Sequence, residues 1–376
     1  MGHGERRGAG SRVFRSKWRR TLAVPGHRIP SLSLTSLVLG ICGFAVVLWL
    51  LHENDYRAVL RTVTAVGSGL IIVIAIRGVI IATCGFAWWC LLRHFTAVRL
   101  RVAIGLRTIG EAINVLLPVA AVGGDIVRAI LLRFRGVNGA AAAASTLVDL
   151  LLQAAAQALF AVIGIALLTQ VAGAADLVSW AAKGMALAAL ALGGFYAMQR
   201  FGGARMAARV LSALARRWPA SAAGSAIRLD GSLRAIYADR RSVAASFLLH
   251  EVAWLSGAFE TWVALWLMNV PASVSTALIL ESLNQGLRGA AFPVPSGLGV
   301  QEGGFIALGA LFGIPPETAL ALSLVKRVPD LAIGLPGLLA WYRMQIRRRV
   351  PIRSGDTAGG RIQGDTSIGH GDRQNG

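Results

Sequence analysis

The sequence predicts an all-α polytopic membrane protein of about six full transmembrane helices and two broken, re-entrant helical hairpins. Three observations predict it. The 376-residue chain is 55% hydrophobic, with a mean hydropathy of +0.61, and several of its apolar runs exceed the ~20 residues that cross ~30 Å of hydrocarbon. Its basic residues, which give a formal net charge of +20, cluster at the ends of those runs, the positive-inside pattern. Two apolar stretches, about 104–134 and 277–313, are interrupted by proline, glycine and acids.

Residues 1–30 carry eight Lys/Arg and one acid and are expected to form a disordered cytoplasmic tail. The first span is expected at 31–51, and the mixed charges of 52–66 (Glu53, Asp55, Arg57, Arg61) suggest a short external amphipathic segment. The second span, 67–92, ends in a basic loop that returns the chain to the cytoplasm. Basic residues at both ends of 104–134 favour a hairpin that enters from the cytoplasm and returns. Spans at 140–168 and 177–199 flank a turn without Lys or Arg, as an external turn should be. The nine arginines of 200–241 mark the main cytoplasmic loop, where Arg205, Arg209, Arg216 and Arg217 suggest an amphipathic surface helix. A fifth span at 243–269, the second broken segment at 277–313 and a last span at 317–342 complete a transmembrane domain of residues 31–345. A disordered cytoplasmic tail, 346–376, follows. Both termini are therefore expected in the cytoplasm, and the membrane is expected to be the bacterial inner membrane.

A pI near 11.6 invites a nucleic-acid reading, but basic residues placed at span ends argue for lipid headgroups instead and against a nucleic-acid partner. Cys42, Cys84 and Cys90 all lie in apolar runs and are read as small buried hydrophobes. None of the six histidines has metal-ligand spacing, and nucleotide-binding and nucleophile motifs are missing. The expectation is a protein that is not an enzyme and holds neither metal nor cofactor.

The two broken segments resemble each other. Each contains Glu-x-x-Asn, Glu111 with Asn114 and Glu281 with Asn284, and each sets an acid seven residues after a proline, Pro118 to Asp125 and Pro295 to Glu302. Entry from opposite sides would make them halves of an inverted repeat, the way transporters build a polar site at the midplane. A pair of Pro-kinked helices with snorkelling acids is the plainer alternative. Broken backbone is tolerated at membrane depth where it is buried in protein or lines a wet cavity.

Charges inside spans are costly and need partners. Asp149, Gln153 and Gln157 form one polar stripe at i, i+4, i+8. In the last span Lys326, Arg327 and Asp330 sit beside Pro329, with Lys326 and Asp330 spaced to pair on one face. Arg77 could pair with any of the acids, and His250 and Glu251 could reach water at the cytoplasmic end. The expected substrate-binding set is Asn114, Pro118, Gly124, Asp125, Arg128, Asp149, Glu281, Asn284, Glu302, Lys326, Arg327 and Asp330. In it Asp125, Arg128, Glu281 and Glu302 line the site, and the charges of the last span balance them.

Two motifs carry a resemblance. One is Asn-x-x-Leu-Pro followed by Gly-Gly-acid with an arginine three further on, and the other is Pro-x-Pro-x-Gly-x-Gly-x-Gln-Glu-Gly. With 145–168 they make the chain, over about 35–345, resemble the flippase-like membrane domain of the lysylphosphatidylglycerol synthases, and most closely its stand-alone branch associated with hopanoid biosynthesis. The family usually has Gly-Glu where this chain has Gly124-Asp125, one methylene shorter. The resemblance implies lipid handling without aminoacyl transfer, since only about 30 polar residues follow the last span. The expected function is translocation of an amphiphilic lipid, such as a hopanoid or an anionic phospholipid, between leaflets or toward the outer membrane. The alternative is a non-transporting scaffold that gathers lipid-biosynthesis enzymes through its basic loop. A lipid-modifying enzyme is a third reading. The sequence leaves the oligomeric state open.

Overall fold

The computed structural model describes residues 34–93, 95, 97–117, 123–202, 220–291 and 294–349. Pro118, the loop arginines Arg205, Arg209, Arg216 and Arg217, and both terminal tails beyond these bounds lie outside the described residues. Every regular element among the described residues is a helix: α1 (Leu34–Glu53), α2 (Tyr56–Val66), α3 (Leu70–Leu92), α4 (Leu100–Leu116), α5 (Gly123–Arg133), α6 (Gly139–Leu168), α7 (Ala175–Arg200), α8 (Ala220–Ala238), α9 (Arg240–Leu267), α10 (Val274–Ala290), α11 (Val300–Ala310) and α12 (Pro316–Arg349).

Local chemistry sets the boundaries. Asp55, Asn138, Asp239 and Ser273 cap α2, α6, α9 and α10, each side chain accepting from a backbone N–H of the first turn. Leu117, the residue before a proline, is extended and ends α4. Gly299, at φ 80°, precedes α11, and the Glu302 carboxylate reaches back 2.8 Å to its N–H.

Four stretches are long and apolar enough to cross a membrane by length and composition: Tyr56–Leu92, Gly139–Leu168, Ala175–Arg200 and Arg240–Leu267. They correspond to four of the six expected spans. The other two fall on α1, whose apolar stretch is Val38–Glu53, and on α12, a 34-residue helix that carries Pro329 and Pro336 in its interior. The expected amphipathic segment is α2, which joins α3 through a 3-10 turn at Gly67–Gly69. α7 leaves Trp180, Leu187 and Leu190 widely exposed, the surface a lipid-facing helix presents.

The two halves of the chain repeat one order of elements. Each broken segment is a 17-residue helix followed by an 11-residue helix, α4–α5 and then α10–α11. Packing is reciprocal. α3 and α9 lie against each other at the centre, α3 also packs on α4, and α9 packs on α10. The long helix after each break packs on the first arm of the other, α12 on α4 and α6 on α10. Even α2 on α12 has its counterpart in α8 on α6. Glycines make the crossings close. Gly337 of α12 faces Ala112, the residue after Glu111, and a Cβ there would lie 2.9 Å from the alanine Cβ. Gly164 of α6 faces Ser282, the residue after Glu281, so closely that a Cβ would collide with the serine hydroxyl.

Candidate functional site

A cavity of about 260 Å³ opens where the two breaks converge. Its walls come from both halves: Arg77 of α3, Arg107, Glu111 and Asn114 of α4, Asp125 of α5, Gln153 and Gln157 of α6, His250 and Trp254 of α9, Gln285 and Arg288 of α10, and Asp330 of α12. The turn between α10 and α11 closes one side, where the Ser296 hydroxyl donates to the carbonyl of Val115. Arg288 runs along Gly297, where a Cβ would lie 3.2 Å from its side chain. Among the described residues its guanidinium makes neither a hydrogen bond nor an ion pair.

Beside the cavity, the first break is pinned by a buried charge cluster. Asn114 bridges the gap, accepting from the N–H of Gly124 at 2.6 Å and donating to Asp125 at 3.2 Å. Gly124 has to be glycine, because a Cβ would strike the carbonyl oxygen of Gly110. Arg128 is fully buried, bonded to Asp125 at 2.8 Å and Asp149 at 2.7 Å, with its guanidinium 4.5 Å from the Trp88 ring centroid. Asp149 also meets His250 at 2.9 Å and Arg107 at 3.5 Å. Arg107 in turn donates to Gln153 at 3.0 Å and reaches Glu111 at 3.4 Å.

A second cluster ties α3, α9, α10 and α12 together. Lys326 lies 3.2 Å from Glu260 and 3.0 Å from Glu281. Thr261 donates to Glu281 at 2.6 Å and Gln285 does so at 2.9 Å. Arg77 holds Glu260 at 2.9 Å and lies 3.9 Å from Asp330. Next to it, Glu302 receives Arg327 at 2.6 Å and Ser323 at 3.1 Å. Asn284 is buried with its Oδ1 against Gly304 of α11, just as Asn114 lies against Gly124 of α5. Paired carboxylates and cations are what a low-dielectric interior demands, since a lone charge there is severely penalised.

The structure thus brings Asn114, Asp125 and Asp330 to the cavity wall, with Gly124 directly beneath Asn114. Arg128, Asp149, Glu281, Glu302 and Lys326 are sealed among their partners, with Arg327 largely so and Asn284 buried, and none of these seven lines the cavity. The expected pairing of Lys326 with Asp330 is not what forms. Lys326 turns to the buried carboxylates of α9 and α10, and Asp330 faces Arg77. His250 is not exposed at a helix end but buried against Asp149, at the cavity wall. The stripe on α6 points inward as expected, with Gln157 donating to the carbonyl of Gln285 at 2.8 Å. Sequence reasoning places Arg107 in the basic loop after the second span, where the structure has it inside α4, and passes over Arg288. The cue for both lay in helical spacing, each falling three or four residues from Glu111 or Gln285 on its own helix. Among the described residues no group of three His, Cys, Asp or Glu side chains converges in the manner of metal ligands.

A family profile described as the lysylphosphatidylglycerol synthase TM region matches residues 18–337. The chain belongs to that family. No curated protein matches it, and neither does any solved structure. Membership makes this a membrane protein of a lipid-related family, and both motifs that carried the resemblance frame the cavity: Asn114 and Asp125 from the first, Ser296 and Gly297 from the second.

Proposed function

We propose that the chain is a lipid translocator, not an enzyme, which holds the polar headgroup of an amphiphilic lipid in the cavity between the two breaks while the tails stay in the bilayer. The observation that carries this reading is the cavity itself. A polar chamber walled by Arg77, Arg107, Glu111, Asp125 and Arg288 sits inside an apolar helical shell, where a headgroup would otherwise meet hydrocarbon. In this reading α4–α5 enters from the cytoplasm and α10–α11 from the opposite side, so the halves form an inverted repeat around the site. The protein resides in the bacterial inner membrane with both termini in the cytoplasm. The cargo is a hopanoid or a phospholipid.

The test is the lipid content of separated inner and outer membranes, with and without the gene. The expected result is one lipid class made normally but retained in the inner membrane when the gene is deleted, and retained equally in an Asp125→Asn strain. Absence or chemical alteration of that class in both membranes would assign the protein to synthesis and overturn the reading.

A further inference from the structure

A second void lies on the outside of the helical shell. Between α4 and α12 runs a groove of about 610 Å³, walled by Leu106, Ile109, Ile333 and Pro336 and ending at Arg101 and Arg135. Both arginines are exposed, and among the described residues neither guanidinium has an ion-pair partner. The groove leads inward. A constriction of about 10 Å³ shares Thr108 and Ile333 with it, and shares Glu111 and Asp330 with the central cavity. Three voids therefore line up along one seam. The middle one is no larger than a single water requires, so the seam is closed in this structure.

At the seam Gly337 packs against Ala112 and Gly334 against Leu116. The α12 side of the seam contains Pro329 and Pro336, which remove the backbone hydrogen bonds to the carbonyls of Val325 and Ala332, and helices bend where prolines interrupt them. The constriction carries two carboxylates, Glu111 and Asp330, and each has an arginine beside it, Arg107 at 3.4 Å and Arg77 at 3.9 Å.

We propose that the α4–α12 seam is the lateral portal of the site and that its resting occupant is a glycerophospholipid. Its phosphate sits on Arg101 and Arg135, and one acyl chain lies in the apolar groove. The charge pattern selects this occupant: two unpaired guanidiniums at the mouth of an apolar trough match a phosphate joined to a tail. A hopanoid without phosphate matches only the trough. The proposal rests on the translocator reading for the word portal, but the bound lipid can be tested without it.

Two measurements separate the claims. In the first, protein purified with dioleoylphosphatidylglycerol is examined by native mass spectrometry for retained lipid. The Arg101→Ala/Arg135→Ala variant is expected to retain about tenfold less, and the Arg101→Lys/Arg135→Lys variant to recover most of it. Both side chains are exposed, so neither variant disturbs the packed interior. Equal retention in wild type and the alanine variant would overturn the bound phospholipid. In the second, Thr108→Cys and Gly337→Cys are combined in a background lacking Cys42, Cys84 and Cys90. The Thr108 methyl lies 3.7 Å from a Cβ built on Gly337. Oxidation in proteoliposomes is expected to cut movement of a labelled phospholipid at least tenfold, and reductant to restore it. Unchanged movement after complete cross-linking would overturn the portal and leave the translocator intact. Lipid retention with no movement by wild-type protein would overturn the translocator reading and the portal with it, and leave the bound phospholipid.

Discussion

The hydroxyl of Ser296 donates to the carbonyl of Val115, so the two interruptions of the chain touch each other across 181 residues. The turn of the second break thereby caps the frayed end of the first. Ser296 holds a left-handed backbone, φ 57°, to do so. Replacing Ser296 with alanine leaves the Val115 carbonyl without that donor, and we expect a loss of about 0.5–1.5 kcal/mol. Thermal unfolding in detergent measures it. A variant as stable as wild type would mean that the contact does not hold the breaks together.

Asp125 and Asp149 share Arg128 but differ in what they leave behind. Asp149→Asn leaves buried His250 without its anion and takes one of two anions from each of the buried arginines Arg128 and Arg107, and a broken buried pair costs about 3–5 kcal/mol. Asp125→Asn leaves Arg128 bonded to Asp149. The expected outcome is a severely destabilised Asp149→Asn protein and an Asp125→Asn protein that inserts and folds but no longer moves lipid. Comparable melting temperatures for the two would contradict the assignment of Asp149 to structure and Asp125 to the site.

The fold was legible where the chain punctuates itself. Proline, paired glycines and acids inside apolar runs marked both breaks, and the period of Asp149, Gln153 and Gln157 marked the inward face of α6. The pairing of Lys326 was not legible. The i,i+4 rule pointed to Asp330, but that rule describes an exposed helix face. Inside the shell, two buried carboxylates from other helices outweigh one neighbour on the same helix, and which helices meet is a tertiary fact. Arg107 was hidden for a related reason. Counting basic residues near span ends assigns them to loops, and such a count takes in Arg107, although it lies about two turns inside α4.

Glycine requirements should follow the packing and not the glycine content. Gly124→Ala would drive a methyl into the Gly110 carbonyl, and Gly304→Ala would drive one into the Asn284 side chain. Each is expected to cost about 1–3 kcal/mol through overpacking. Gly303, adjacent to Gly304, has nothing within 4 Å of a built Cβ, so Gly303→Ala should be neutral or slightly stabilising. Melting temperatures of the three variants decide the matter, and equal losses at Gly303 and Gly304 would refute the packing argument.

Lys326 contacts two glutamates at once, Glu281 and the Glu260 that it shares with Arg77. Lys326→Met alone should destabilise strongly, by about 3–5 kcal/mol. Adding Glu281→Gln should recover part of the loss, because one stranded carboxylate disappears. A double-mutant cycle should give a coupling of about 1–3 kcal/mol between the two positions. Additive effects would show that the 3.0 Å contact carries no energy.

The division of partners between the halves also bears on how the protein is made. Arg77 lies in the first half, and its acids, Glu260 and Asp330, arrive only with α9 and α12. The nearer of them follows 183 residues later, about 10–40 s at ordinary rates of synthesis. Asp149 likewise precedes His250. Throughout that interval a growing chain carries Arg77 without either of its ion-pair partners. The insertion machinery has to shelter such a segment until α9 is threaded, and a product released before that point would present the exposed membrane charge by which quality-control proteases recognise orphaned helices.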